Sequence, residues 1–179
     1  MQRRTLLQRA VLAATAAAAP AGAWALYDPK PSALLAWAPG AWRGTLTYRD
    51  YSNPDRKVTL PCRLSIALTA PEELALFYVF DDGPGKTVYS YERMAFDFAV
   101  NRLNWTSGIA KPGTSQYAVT RATTDAEATQ LQFERAADGH TEQYRFDIRQ
   151  TTLSLGKTEV APTGEPTLRN AFELRRVGE

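Results

Sequence analysis

Between Trp42 and Leu68 the side chains alternate. Trp42, Gly44, Leu46 and Tyr48, then Val58, Leu60, Cys62, Leu64, Ile66 and Leu68, fall on one parity. Arg43, Thr45, Thr47, Arg49, Lys57, Thr59, Arg63 and Ser65 fall between them. An extended backbone turns successive side chains to opposite faces, so a period of two makes one dry face and one wet face. Both stretches are therefore expected to be half-buried antiparallel strands, and the chain to be all-β. The pattern identifies no reaction and no ligand.

Ahead of the strands, residues 1–25 have the three parts of a secretory signal peptide. Arg3, Arg4 and Arg9 form a basic start, 10–19 is apolar apart from Thr15, and Ala23-Trp24-Ala25 puts small residues where a signal peptidase reads. Cleavage is expected after Ala25, with Ala23 as the second choice. The apolar run is shorter than the ~20 residues a helix needs to span a bilayer, which argues against a retained transmembrane anchor. Arg3-Arg4-Thr5-Leu6-Leu7 is similar to a twin-arginine export signal, although Gln2 and Gln8 depart from it. The expected destination is the periplasm or the medium of a bacterium.

Without the leader the charge balance changes sign. Three of the 21 basic residues lie in it and none of the 19 acidic ones, leaving 18 against 19, a net of −1. The full chain's +2 thus gives no reason to expect nucleic acid or an anionic membrane as a partner. A lone cysteine cannot form an internal disulfide, and Cys62, between Leu60 and Leu64, reads as a small buried apolar residue. No cysteine follows the cleavage region, so no lipid anchor is expected there. A soluble monomer is the expected product.

Residues 26–179 read as one domain. A short proline-bounded helical segment, 32–37, is expected to plug one end of the sheet. Ten strands follow, at about 41–51, 56–68, 74–80, 87–96, 102–107, 116–121, 128–136, 141–149, 152–157 and 167–177. Ser52-Asn53-Pro54-Asp55, Asp81-Asp82-Gly83-Pro84-Gly85, Lys111-Pro112-Gly113 and Asp138-Gly139 supply turns. Asp138-Gly139 suits a two-residue primed turn. Counting outward from it pairs Ala137 with His140, Arg135 with Glu142 and Phe133 with Tyr144. Ten antiparallel strands joined in order can close on themselves and leave no edge. The last strand would then lie beside the first, with Phe172, Leu174 and Arg176 inward and Arg176 close to Trp42. A β-sandwich of similar strand count is the alternative.

Gly40-Ala41-Trp42 at the first strand and Arg176 near the end of the last resemble the calycin superfamily, the lipocalins and fatty-acid-binding-protein-like barrels. The resemblance implies an up-and-down barrel whose closed end is formed by Trp42 with Arg176 across it, or Arg175 in its place. The Thr-Asp-Tyr motif of lipocalins has no counterpart here, since Asp50-Tyr51 stands at the first turn. Subfamily and ligand do not carry over.

At the other end of such a barrel, Tyr48, Leu60, Tyr78, Phe80, Tyr89, Trp105, Tyr117, Phe133, Arg135 and Tyr144 are the candidate ligand-binding residues, with Val58 on the same face. Tyrosine hydroxyls among apolar walls suit a greasy ligand with one or two polar atoms; a packed core is the competing reading. Arg135 could hold a carboxylate, as in fatty-acid-binding barrels, but its register partner Glu142 offers a simple rim salt bridge. His140 is the single histidine and sits at a turn, so no catalytic, zinc or haem site is expected and no cofactor is assigned. Glu92 is expected on the solvated face, because an unpaired inward carboxyl is costly. The leading expectation is a non-catalytic carrier of a small hydrophobic or amphipathic molecule. A cell-envelope interaction or scaffold protein comes second, and a barrel isomerase or cyclase third.

Overall fold

The computed structural model describes residues 32–178 except 51 and 54. The expected leader and its cleavage point lie outside the described residues. Ten strands are present: β1 Gly40–Arg49, β2 Lys57–Ala70, β3 Glu73–Asp81, β4 Thr87–Asp97, β5 Arg102–Ser107, β6 Gly113–Thr124, β7 Ala128–Ala137, β8 His140–Arg149, β9 Thr152–Val160 and β10 Pro166–Arg176. Each pairs antiparallel with the next, and β10 pairs with β1, so the sheet closes. Among the described residues no helix is long and apolar enough to cross a membrane.

The alternation in β1 and β2 becomes a double ladder. Trp42 lies opposite Leu64, Leu46 opposite Leu60 and Tyr48 opposite Val58. Closure brings two backbones together at Gly44, where a Cβ would run into the carbonyl oxygen of Glu173. The hairpin at Asp138-Gly139 pairs Arg135 with Glu142 and Phe133 with Tyr144, and Gly139 has φ 72°, as a primed turn requires.

Two strands run well past their expected ends, for different reasons. A bulge between Val119 and Arg121 shifts the parity of β6 and obscures its alternation. In β9 the inward positions beyond Leu155 are Lys157 and Glu159, so charge hides the dry face. The expected helical segment is one turn of 3₁₀ helix, Ala33–Leu35. Leu35 and Ala38 are fully buried in the core.

At the β1 start, Trp42 is 1% exposed and its indole N–H donates to the Ala38 carbonyl at 3.1 Å. The Arg176 guanidinium lies 4.1 Å from the centre of the Trp42 ring. It also donates to the carbonyls of Trp37, Pro39 and Gln150 at 2.5, 2.7 and 2.6 Å. Gly40, with φ 138°, leaves the space this guanidinium occupies, because a Cβ there would collide with it.

Candidate functional site

Burial changes along the barrel axis. Toward the Trp42 end the inward residues Leu64, Ile66, Leu74, Leu76, Met94, Phe96, Leu103, Phe146, Ile148, Leu153 and Leu174 are all buried. Toward the other end, Leu46, Tyr48, Val58, Leu60, Phe80, Ser90, Trp105, Tyr144, Asn170 and Phe172 keep part of their surface. One half is therefore filled, and the other has walls without a complete filling. A cavity of about 240 Å³ opens there, lined by Leu46, Tyr48, Arg49, Lys157, Arg169, Asn170 and Phe172.

The candidate residues divide across this boundary. Tyr78, Tyr117 and Phe133 belong to the packed core, at 1%, 5% and 1% exposure. Tyr48, Leu60, Phe80, Trp105 and Tyr144 face the open half. Trp105 touches three rings edge-on or tilted, with Tyr144 nearest at 4.9 Å between centroids. Burial raises Tyr78 well above 10, aided by Glu92, and it likewise lifts Tyr117 and Tyr144, so these phenols stay neutral.

Tyr89 is a correction. It is 56% exposed and stacks on Phe77 outside the barrel, at 6.1 Å between centroids. The inward positions of β4 are Ser90, Glu92, Met94 and Phe96, because Met94 and Phe96 anchor the strand in the core opposite Leu74 and Leu103. The aromatic tyrosines 89 and 91 had suggested the opposite parity. Glu92, expected in water, is therefore also corrected: it points into the barrel. Its carboxylate accepts a hydrogen bond from the Trp105 indole N–H at 3.0 Å. Burial pushes its pKa up to about 7 against the pull of that hydrogen bond. Tyr78 lies in the same interior, but no hydrogen bond joins it to Glu92, so the acid and base pair of an isomerase is not assembled.

At the rim the charged residues form a network. Glu142 accepts from Arg135 at 2.5 Å and from Lys157 at 2.6 Å, and Arg135 also donates to Ser115 at 2.7 Å. Burial raises the Glu142 pKa, but these hydrogen bonds outweigh it and hold the group below its ordinary value. Lys157, Arg169 and His140 approach Glu159 at 3.5, 3.4 and 3.8 Å. Arg135 is thus committed to the salt bridge with Glu142 rather than open to a ligand. Three cations face two carboxylates, leaving one positive charge in excess. His140, Glu142 and Glu159 bring their ligand atoms within 4.8 Å of one another. Arg135 and Lys157 already hold both oxygens of Glu142, so positive charge occupies the place a metal ion would need.

Two wider hollows lie outside the barrel. One, about 490 Å³, faces outward against β6–β10; the other, about 1080 Å³, lies beneath the turn after β3. The latter is lined by Arg43, Arg63, Lys86, Pro61, Val79 and Tyr89 among others. Neither communicates with the aromatic interior through the residues that line it.

A closed ten-stranded antiparallel barrel with one filled and one partly open half defines a fold of the lipocalin and calycin type. Similar solved structures include Rv2717c from M. tuberculosis, with a TM-score of 0.63 and 15% identity over 84% of this chain and 100% of that one. Another is the S-type phycobiliprotein lyase CPES from Guillardia theta, with a TM-score of 0.51 and 8% identity over 79% of this chain and 89% of that one. At these identities the likeness is one of fold. No family model and no curated protein matches the sequence.

Proposed function

We propose that this protein is an exported, monomeric barrel that binds a small apolar or amphipathic molecule in its open half without transforming it. The observation that carries this reading is the division of the interior, with aromatic and aliphatic walls around a cavity of about 240 Å³ at one end only. That volume lies just below the ~300–1,000 Å³ usual for ligand pockets and suits a compact ligand. The barrel neighbours support it at the level of fold, since one of them is a phycobiliprotein lyase.

Native mass spectrometry of the protein isolated from its source cells tests the proposal. The expected spectrum carries the added mass of a small molecule, and the Leu46→Trp variant, whose indole fills the cavity, loses it. Bare chain in both cases, with no uptake from a panel of apolar and amphipathic compounds, contradicts the proposal.

A second reading, a cell-envelope interaction protein, draws on the outer face. Phe77, Tyr89 and Tyr91 are 42%, 56% and 40% exposed on neighbouring strands, beside the hollow lined by Val79, Arg43 and Arg63. Large exposed aromatic patches mark interaction surfaces.

A further inference from the structure

We infer that the open half of the barrel is built for an organic cation, a primary amine on a small apolar body, whose ammonium group pairs with Glu92. This rests on the ligand-binding reading and specifies the polar group of the ligand. Three carboxylates point into the barrel from β4, β8 and β9. The protein answers two of them itself, Glu142 with Arg135 and Lys157, and Glu159 with Lys157 and Arg169. Glu92 receives only the Trp105 indole N–H. Among the described residues no lysine, arginine or histidine forms an ion pair with it.

An inward carboxylate with one donor and no counter-charge is costly unless something else supplies the charge. Its neighbours suit an ammonium group. Trp105 and Tyr78 present ring faces and edges rather than competing cations, and aromatic rings beside a carboxylate are a recognised setting for organic ammonium ions. A metal ion would find too few oxygens here, because Leu76 and Ser107 are the cross-strand partners of Glu92.

Proton linkage gives the pH dependence. With its pKa near 7, Glu92 must lose its proton to pair with an ammonium ion, so affinity rises with pH to about 7 and then levels off. The titratable groups toward it are Tyr78 on β3, Cys62 on β2 and Tyr144 on β8, all held neutral through this range by burial. β5 presents only Trp105 and Ser107. At the rim stand Arg135, Lys157, Arg169, Glu142, Glu159 and His140, and because histidines also titrate near neutrality, the pH series is repeated in His140→Gln.

Isothermal titration of the full mature chain with hexylammonium, hexanol and hexanoate tests the inference. At pH 8 hexylammonium is expected to bind at least about tenfold more tightly than hexanol, and hexanoate more weakly than either. At pH 6 that preference is expected to fall about tenfold in wild type and in His140→Gln. In Glu92→Gln the ratio of ammonium to alcohol affinity is expected to fall close to one at both pH values. If hexanol or hexanoate binds as well as hexylammonium at pH 8, or the pH trend is absent in wild type, the inference is overturned while the binding chamber stands. If none of the three binds, the chamber reading falls and the inference with it.

Discussion

Arg176 shows how much a single side chain can organise in this protein. Its guanidinium reaches three backbone carbonyls and one indole ring, and Gly40 is shaped to let it through. Removing it leaves those carbonyls without their donor and the Trp42 ring without its cation. Arg176→Met is expected to cost about 2–4 kcal/mol in urea unfolding, from a cation–π contact and several charged hydrogen bonds. Arg176→Lys should recover less than half of this, because one ammonium group cannot span three carbonyls in the plane of a fork. A loss below about 0.5 kcal/mol in both variants would mean that this end is held closed by the surrounding apolar core. Glu92 is the opposite case, a residue whose cost is left standing. Its placement was not legible from composition, since a glutamate between two tyrosines reads as the wet position.

Within the elements, legibility followed how cleanly dry and wet residues alternated. β1, β2 and the β7–β8 hairpin have unbroken alternation, and their register can be counted from Trp42 and from Gly139. The Arg135–Glu142 pair was visible for the same reason. β4 misleads because its outward residues, Tyr89 and Tyr91, look more apolar than its inward Ser90 and Glu92; only Met94 and Phe96 reveal the true parity. The bulge in β6 and the inward charges of β9 conceal two strand ends in similar ways. The parity of β4 makes a direct prediction. Met94→Ala should cost about 2–5 kcal/mol as a fully buried truncation, whereas Tyr89→Ser should cost about 1 kcal/mol or less, the worth of one exposed ring contact. Equal costs in chemical denaturation would contradict the assigned faces.

For the whole molecule, closure divides the labour between the two ends. Around Trp42 and Arg176 the interior is filled, and stability is concentrated there. Around Leu46, Trp105 and Phe172 the walls are incompletely covered, and the rim holds its own charges in a network instead of leaving them to solvent. A sheet with two exposed edges would need to protect both; this barrel has none among its ten strands, so its surface can carry a patch such as Phe77 and Tyr89 without offering a pairing edge. The account's central claim is that binding belongs to the open half of the interior and not to the outer face. Amide and indole chemical shifts of the isotope-labelled protein, followed during titration with hexylammonium, test it most directly. The account predicts changes at Leu46, Leu60, Glu92, Trp105 and Phe172, with Leu64, Leu74 and Phe146 at the filled end and Phe77 and Tyr89 outside left unmoved; changes confined to Phe77, Val79 and Tyr89, or none at all, would contradict it.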